Sequence, residues 1–268
     1  MTDKVVLITG STDGIGRQAA LELAALGATV LVHGRDAARG RNVVEEIRTA
    51  TGNQKVDLFI ADLSSLQQVR RLAADITNHC GALHVLINNA GVFMNERRLT
   101  VDGLETTFAV NHLAPFLLTN LLLDLLKNSA PARIITVSSV AHTRGNLDFD
   151  NLQAERSFGG YSSYALSKLA NVLFAYELGE LLAGTGITSN CLHPGVIGTK
   201  LLRAGFNITG ANTSDGAETL IYLASSPETD GVTGKYFQEK QQTPSSPITH
   251  DAALRKRLWE ISVQLTGL

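Results

Sequence analysis

Tyr164 and Lys168 are the residues of this sequence with the clearest chemical potential, since they lie four positions apart in a segment whose apolar spacing predicts a helix. Residues at i and i+4 share one helix face, so the lysine ammonium can act on the tyrosine phenol. A neighbouring positive charge favours phenolate, which lowers the pKa of the tyrosine toward the range of a general acid and base. The same spacing is common in surface pairs without function, so the accompanying motifs must decide between these interpretations.

A glycine-rich turn, TGSTDGIG at 9–16, follows a short apolar run and precedes a helical pattern. Glycines let the backbone turn sharply and approach a pyrophosphate, whose charge is favoured by the free N–H groups and the positive end of the helix. Three residues separate the first two glycines, unlike the plain dinucleotide fingerprint. The turn predicts a nucleotide site, with an ordinary tight connection as the alternative. The residues assigned to a cofactor here are Gly10, Ser11, Thr12, Asp13, Gly14, Ile15 and Gly16.

The end of the second predicted strand, HGRD at 33–36, indicates which dinucleotide the protein prefers. An acidic residue at this point binds the ribose 2′-hydroxyl, whereas an arginine accepts the 2′-phosphate. Gly34 stands where the carboxylate is expected and Arg35 follows, which favours NADP(H) and leaves NAD(H) open. Asp13 indicates the opposite, since its charge could repel that phosphate. Arg35 could also be a solvated charge before a helix.

Short apolar runs alternate with longer amphipathic ones, which is the rhythm of βαβ units. Strands are predicted at 5–9, 29–33, 56–61, 85–88, 133–138, 188–192 and 235–237. Helices are predicted at 15–26, 37–51, 66–79, 104–127, 164–183, 215–225 and 252–264. Unbroken apolar strands imply a parallel sheet covered on both faces. The sequence therefore predicts one α/β domain over 1–268, doubly wound around about seven strands.

Two connections, 140–160 and 198–213, are longer than such a fold needs. Loops of that length are usually functional or disordered. The second contains glycines together with Leu201, Leu202 and Phe206. We expect it to be a mobile cover over an apolar site, with a loose surface loop as the alternative.

Composition argues against several classes of partner. The chain has 268 residues, a formal charge of −2 and a pI near 6.4, which supply no basic field for nucleic acid or anionic lipid. Cys80 and Cys191 lack the spacing of a metal site, so reduced, buried thiols are expected. No apolar run approaches the ~20 residues of a membrane span. We expect a cytoplasmic protein without nucleic-acid, membrane or metal partners.

Taken in order along the chain, these motifs resemble the short-chain dehydrogenase/reductase family, and the resemblance covers nearly the whole sequence. It implies a Rossmann fold and an oxidoreductase that uses NAD(P)(H). The matching segments are the turn 9–16, DL at 62–63, NNAG at 88–91, Asn111, VSS at 137–139, the pair Tyr164 and Lys168, and HPGVIGT at 193–199. Three further segments are similar to the retinol dehydrogenase branch: VSSVAH at 137–142, GKYF at 234–237 and LWEIS at 258–262.

The resemblance implies how a dinucleotide is held. Asp62 would bind the adenine amino group, and the backbone of 88–91 would approach the adenosine ribose. Lys168 would bind the nicotinamide ribose hydroxyls, while 194–199 would hold the carboxamide and a phosphate. The residues so assigned, beyond the glycine turn and Arg35, are Asp62, Leu63, Asn88, Ala90, Gly91, Tyr164, Lys168, Pro194, Gly195, Ile197 and Thr199.

The resemblance also implies catalytic roles. Ser139 would hydrogen-bond the substrate carbonyl, Tyr164 would donate the proton during reduction, and Lys168 would lower the tyrosine pKa. Adjacent strand residues point to opposite faces, so only one of two serines can serve; we assign Ser139 and give Ser138 a structural role. Asn111, which has low helix propensity, would hold a water that links Lys168 to solvent.

The residues expected to line the substrate pocket are nearly all apolar: Val92, Phe93, Met94, Phe149, Phe158, Tyr161, Leu201, Leu202 and Phe206. Such a lining favours a hydrophobic alcohol, aldehyde or ketone as substrate. The alternative within enzymes is a tailoring ketoreductase for a bulky aromatic or polyketide-like ketone. A different class is a nucleotide-sensing protein without redox chemistry. The same side chains could also simply pack under the loops.

Family members commonly pair through their long helices, here near 113–127 and 164–183. The resemblance therefore implies a homodimer or homotetramer. The leucine-rich faces of these two helices are equally consistent with burial inside one subunit.

Overall fold

The computed structural model describes residues 1–206 and 208–268. Within these ranges the strands are β1 Val5–Ile8, β2 Thr29–Gly34, β3 Val56–Ile60, β4 Val85–Asn88, β5 Ala132–Val137, β6 Ile187–His193, β7 Tyr236–Gln238 and β8 Gln241–Gln242. They form one sheet in the order β3-β2-β1-β4-β5-β6-β7-β8. The strands β1 to β7 pair in parallel, whereas β8 pairs antiparallel with β7.

The helices cover the sheet on both faces. In the described residues they are α1 Gly14–Ala25, α2 Ala37–Thr51, α3 Leu66–His79, α4 Thr106–Phe108, α5 Ala114–Leu121, α6 Leu123–Asn128, α7 Gly160–Leu181, α8 Lys200–Gly205, α9 Thr213–Ser225 and α10 Ala252–Thr266. A π-helical segment, Ala109–Leu113, joins α4 to α5. Across the part of the chain that the structure covers, none of these helices has the length and apolar content needed to cross a bilayer.

Two apolar layers form because successive strand residues point to opposite faces of the sheet. On one face, Leu7 of β1 belongs to a buried cluster with Phe116 of α5. On the other, Val6 belongs to a buried cluster with Leu23 of α1 and Leu220 of α9. Strand residues that point to either face are therefore buried against helices, and the resulting apolar runs are the pattern from which a covered parallel sheet is predicted.

The predicted fold class, a doubly wound α/β sheet with helices on both faces, is confirmed. Each predicted strand occurs within one residue of its predicted bounds. The prediction of about seven strands omits β8, because two exposed glutamines after a turn through Glu239 and Lys240 carry no apolar signal. Both turn residues have positive φ, 50° and 61°, which allows the chain to reverse.

The helix predicted over 104–127 is instead interrupted. Pro115 has no N–H to donate to the carbonyl of Asn111, which lies four residues earlier, so a regular α-helix cannot continue there. The backbone widens into the π-helical segment, in which the Ala114 N–H bonds the Ala109 carbonyl. A second break separates α5 from α6 at Leu122.

Both long connections carry short helices. The first, 140–160, begins with a 3₁₀ turn over Val140–Arg144 and ends where α7 begins. The second, 198–213, contains α8 and is held at its ends by a bridge between Ile197 and Ala211; residue 207 lies outside the described residues. The mobility expected of this cover stays a prediction.

In helix α7, every residue of 163–179 is buried within one subunit. For the leucine-rich face of α7, the sequence allowed either subunit pairing or burial inside one subunit, and this burial corresponds to the second. Pairing of subunits through the long helices stays a prediction.

Candidate active site

The carboxyl ends of β1 and β4 meet at the point where the strand order reverses. Ile8 and Ile87 are register partners on these strands, and the chain leaves β1 toward β2 but leaves β4 toward β5. Ligands of open α/β sheets bind in the crevice at such a switch point. A cavity of about 830 Å³ opens here.

Most of the predicted site residues line this one cavity. From the glycine turn and the strand ends they are Gly10, Thr12, Asp13, Gly14, Ile15, Gly16, Arg35, Asp62, Leu63, Ala90, Gly91, Pro194, Gly195, Ile197 and Thr199. From the catalytic and substrate sets they are Ser139, Tyr164, Lys168, Phe93, Met94, Tyr161, Leu201, Leu202 and Phe206. The predicted residues outside the cavity lining are Ser11, Asn88, Asn111, Phe149 and Phe158.

The glycine turn allows no larger residues at two of its positions. Gly10 has φ +65°, and a Cβ there would lie 2.9 Å from the Cα of Ala90. A Cβ at Gly16 would lie 2.4 Å from the Asn89 side-chain nitrogen. The turn therefore packs directly against the loop after β4.

His33 at the end of β2 fixes the shape of the turn. Its Nδ1 accepts a hydrogen bond from the Gly10 N–H at 3.1 Å, and its Nε2–H donates to the Ala61 carbonyl at 3.2 Å. Burial lowers the pKa of His33 to about 4, so the neutral ring is the form that makes both bonds. The Ser11 hydroxyl donates to the Ile8 carbonyl and accepts from the His33 N–H. Ser11 therefore links the turn to β1 and β2.

Thr9 and Asn89 join the turn to the loop after β4. The Thr9 hydroxyl accepts hydrogen bonds from the N–H groups of Asn89 and Ala90, and the Asn89 amide donates to the Thr9 carbonyl. The neighbouring Asn88 points away, donating to the Thr119 hydroxyl at 2.9 Å. Of the two asparagines, Asn89 is therefore the one whose side chain touches the turn. The contact of the Asn88 backbone with a cofactor stays a prediction.

Charged residues gather at the mouth of the turn. Asp13 caps α1 by accepting from the Gly14 N–H, and its carboxylate lies 2.5 Å from the Lys200 ammonium and 3.7 Å from the Arg39 guanidinium. The hydrogen bond from Lys200 is the main cause that lowers the pKa of Asp13. Arg35 is exposed and lines the cavity. The negative charge expected to oppose a 2′-phosphate is therefore balanced by two cations.

Tyr164 and Lys168 lie on the inner face of α7, with exposed fractions of 6% and 3%. The lysine Nζ lies 5.6 Å from the centroid of the tyrosine ring and donates to the Val137 carbonyl at 3.1 Å. This burial removes the alternative of a solvated surface pair.

Burial shifts the pKa values of both members of this pair. Burial raises the pKa of Tyr164 to about 12, which outweighs the lowering by its hydrogen bond with Ser139. Burial also lowers the pKa of Lys168 to about 8. The pKa of Tyr164 therefore lies above its ordinary value because desolvation of the phenol dominates. The expected lowering of this pKa by Lys168 stays a prediction.

The two serines after β5 point in different directions. The Ser138 hydroxyl is buried and donates to the Lys168 carbonyl at 2.7 Å. The Ser139 side chain lines the cavity beside the Tyr164 phenol, whose pKa it lowers, and its hydroxyl accepts from the Ala141 N–H at 3.2 Å. The backbone thus gives Ser138 a packing contact with α7 and leaves Ser139 beside the tyrosine.

His142 holds Ser139 in place, a role that no motif in the sequence indicates. Its Nδ1–H donates to the Ser139 carbonyl at 2.7 Å, and its Nε2 accepts from the Ser246 N–H at 3.1 Å. The ring packs on Tyr236, with centroids 4.7 Å apart. The segment after β8 therefore reaches the serine through this imidazole.

Asn111 lies in the π-helical segment and binds the loop after β4. Its amide donates to the Val92 carbonyl and to the Ser167 hydroxyl, each at 3.0 Å, and its side-chain oxygen accepts from the Val92 N–H at 2.8 Å. The amide is therefore occupied in positioning this loop. The predicted water relay through Asn111 stays a prediction.

Aromatic rings form the substrate end of the cavity. The centroid of Phe206 lies 5.3 Å from that of Phe93 and 5.9 Å from that of Tyr161. The Phe93 centroid in turn lies 5.5 Å from that of Tyr164. An apolar wall therefore extends from the phenol to α8.

Glycines from two elements make room for Phe93. A Cβ at Gly160 would lie 3.0 Å from this ring, and one at Gly205 would lie 2.5 Å from it. Phe149 and Phe158, which were expected in the pocket, do not line it. Phe149 packs instead against the cluster around Phe108 and under Arg257, because residues 147–152 fold back onto α10.

The residues present fit a bound dinucleotide. Three glycines of the turn, Gly10, Gly14 and Gly16, line the cavity, so a phosphate can approach the backbone there. At the other end, a Cβ at Gly91 would lie 3.6 Å from the Lys168 Nζ and 3.4 Å from the Asn111 side-chain oxygen. A cavity that leads from glycines at a helix N-terminus to a buried lysine suits a pyrophosphate at one end and a polar ribose at the other.

A sheet of this order, with a glycine turn at its switch point and a serine, a tyrosine and a lysine together at its edge, defines the Rossmann class of nucleotide-dependent oxidoreductases. The chain belongs to the short chain dehydrogenase family, whose model matches residues 4–207.

The relatives and solved structures agree with this membership. Human Retinol dehydrogenase 14 is 40% identical over 294 residues, covering 100% of this chain and 88% of its own length. Human Polyprenol dehydrogenase is 40% identical over 283 residues, covering 99% and 86%. A solved protein of Mycobacterium paratuberculosis has a TM-score of 0.84 at 33% identity, covering 99% of this chain and 94% of that one. An Escherichia coli short chain dehydrogenase complexed with NADPH has a TM-score of 0.75 at 26% identity, covering 90% and 98%.

Proposed function

We propose that this protein is an NADP-preferring oxidoreductase that transfers a hydride between the nicotinamide and a hydrophobic alcohol, aldehyde or ketone. The observation that carries this proposal is the convergence of Ser139, Tyr164 and Lys168 in the cavity that the glycine turn opens. Two relatives named for retinol and polyprenol, both long apolar alcohols, support the substrate class. The structure that holds NADPH supports the cofactor class.

The cofactor would lie along the cavity from the glycine turn to Lys168. The backbone of the turn and the end of α1 would receive the pyrophosphate, Asp62 the adenine, and Arg35 the 2′-phosphate. Residues 194–199, which line the cavity after β6, would hold the nicotinamide end. When bound, the nicotinamide supplies the hydride for reduction or accepts it in oxidation.

In the reduction direction, Ser139 would donate a hydrogen bond to the carbonyl oxygen, and Tyr164 would give that oxygen its proton. A pKa raised to about 12 keeps the phenol protonated at neutral pH, which is the form that reduction consumes. The charged Lys168 stabilises the phenolate left behind, because opposite charges attract strongly in a buried site. The lysine, with a pKa near 8, can then pass on a proton.

A panel of carbonyl substrates tests this function. Retinal, aliphatic aldehydes, steroids and aromatic ketones would be supplied with NADPH or NADH, and loss of the reduced cofactor would be followed by its absorbance. We expect turnover with apolar aldehydes or ketones. Activity restricted to bulky aromatic ketones would favour the tailoring ketoreductase, whereas cofactor binding without any turnover would favour the nucleotide-sensing protein.

Arg35→Ala is expected to weaken NADPH binding by about tenfold or more and to leave NADH binding nearly unchanged. A guanidinium on a phosphate is a charge-assisted contact, and NADH has no phosphate at that position. Calorimetric titration of both cofactors measures the difference. Arg41→Ala is the matched control, since Arg41 is exposed on α2 outside the cavity lining. Equal losses for both cofactors would mean that Arg35 does not bind the 2′-phosphate.

Ser139→Ala is expected to lower kcat by roughly tenfold to a hundredfold, because it removes the donor that stabilises developing charge on the carbonyl oxygen. Ser138→Ala is the matched control. It removes a buried hydrogen bond to the Lys168 carbonyl and should lower the free energy of unfolding by about 1–3 kcal/mol. Steady-state kinetics and denaturant unfolding of both variants separate the effects. A larger loss of kcat in Ser138→Ala would reverse the assignment.

A further inference from the structure

Two charged side chains from different elements meet at the cavity. Asp13 precedes α1 in the glycine turn, Lys200 begins α8, and the carboxylate and ammonium lie 2.5 Å apart. Both residues line the cavity, and both side chains are more than half exposed, at 51% for Asp13 and 64% for Lys200. The pair therefore connects the glycine turn to the helix that carries Leu201 and Leu202 at the substrate end.

Asp13 is unfavourably placed for a protein that binds phosphate, because a carboxylate repels an anion. Its charge is nevertheless compensated by Lys200 and, at 3.7 Å, by Arg39. Of these two cations Lys200 lines the cavity, so the carboxylate binds an ammonium that a dinucleotide could contact.

The start of α8 lies directly against the turn. A Cβ at Gly14 would lie 3.3 Å from the Thr199 methyl carbon, and Thr199 immediately precedes Lys200. Lys200 and the glycines of the turn line the same cavity, so the ammonium and a pyrophosphate received by the turn would share one space.

We propose that Lys200 is a phosphate-binding residue of the cofactor site, held by Asp13 until the pyrophosphate of the dinucleotide takes over its ammonium. This inference rests on the proposed function, because it needs a dinucleotide in the turn. An ion pair this exposed is weak, since water solvates both charges. A pyrophosphate carries two negative charges and several acceptor oxygens, so it competes well with one carboxylate.

Exchange of the ammonium would couple the two ends of the site. Lys200 shares α8 with Leu201 and Leu202, so a contact that draws the ammonium toward the pyrophosphate also sets the position of the apolar cover. Cofactor binding would thereby prepare the substrate end.

Calorimetric titration of Lys200→Met with NADPH and with NADH tests the proposal. We expect the Kd to rise roughly tenfold for both cofactors, because both contain the pyrophosphate. Arg203→Met is the matched control, since it removes the same charge from an exposed position of the same helix outside the cavity lining, and its Kd values should stay at the wild-type level. A loss confined to NADPH would overturn the pyrophosphate assignment.

Asp13→Asn separates phosphate binding from simple anchoring of α8. Asparagine caps helices as well as aspartate does, so the change removes charge without removing the cap. We expect tighter binding of both cofactors, since no ion pair between Asp13 and Lys200 has to break when the cofactor binds. For the same reason, adding Lys200→Met in the Asp13→Asn background should cost more affinity than it costs in the wild type.

A purely structural ion pair gives the opposite result. Asp13→Asn would already have broken the link, so Lys200→Met would add nothing in that background, and the proposal would be overturned. Failure of the wild-type protein to bind either cofactor would instead contradict the proposed function, so the two failures remain distinguishable.

Discussion

Tyr164→Phe is expected to lower turnover by roughly a thousandfold while cofactor binding stays close to that of the wild type. The phenol is the only group that the proposed mechanism uses to give a proton to the carbonyl oxygen, and general acid catalysis contributes about 10²- to 10⁴-fold. Phenylalanine keeps the ring that packs on Phe93, at a centroid distance of 5.5 Å, so the pocket retains its shape. Steady-state kinetics together with cofactor titration measure both quantities.

Tyr161→Phe is the matched control for this prediction. Tyr161 lines the same cavity and packs on Phe206, but its side chain is 46% exposed and the residue four positions later is Ala165. Removal of its hydroxyl should leave most of kcat intact. Unchanged turnover in Tyr164→Phe would show that the hydroxyl carries no proton, and it would favour a protein that binds the nucleotide without redox chemistry.

The sequence predicted the sheet well because burial on both faces leaves a local signature. The strands β1, β2 and β4 are mainly short apolar runs, and their bounds follow closely from where those runs end. The interrupted helix at 104–127 was missed for a different reason: its apolar pattern continues through the π-helical segment. Only the missing N–H of Pro115 marks the break, and a single proline gives no indication of how the backbone will accommodate it.

The motifs predicted most of the residues that line the cavity. They did not predict the neighbouring side chains, such as His33 and His142, whose hydrogen bonds position those residues. His33 binds Gly10 of the glycine turn, which lies 23 residues earlier in the sequence. His142 binds the carbonyl of Ser139, which lies 3 residues earlier. His33 can reach Gly10 only because β2 pairs with β1 in one particular register. Asn88 and Asn89 illustrate the same point, since the direction in which each side chain points depends on where β4 ends.

The pKa of Tyr164 is the property of the site that local spacing predicts least well. Four-residue spacing correctly predicted that Tyr164 and Lys168 share one helix face, and their 5.6 Å approach agrees with it. Spacing contains no information on desolvation, which depends on how completely α7 is covered. In this fold both groups are buried, and burial shifts both pKa values toward the neutral forms.

Gly10→Ala is expected to lower kcat/KM by at least about a hundredfold and to weaken cofactor binding. Gly10 has φ +65°, and its new methyl would lie 2.9 Å from the Cα of Ala90, a backbone atom that cannot rotate away. The turn must therefore shift, and displacements near 1 Å in a positioned site cost about 10²-fold. The shift would also strain the bonds that join Gly10 to His33 and Asn89. Kinetics, cofactor titration and thermal unfolding record the combined effect.

Gly52→Ala separates steric conflict from backbone strain. Gly52 ends α2 with φ +73°, a value close to that of Gly10, but nothing lies within 4 Å of the position its Cβ would take. This variant should lose only the left-handed backbone preference, about 1 kcal/mol in the free energy of unfolding, with cofactor affinity unchanged. If Gly10→Ala were no worse than Gly52→Ala in cofactor binding, close packing of the turn against the loop after β4 would not be what shapes the nucleotide site.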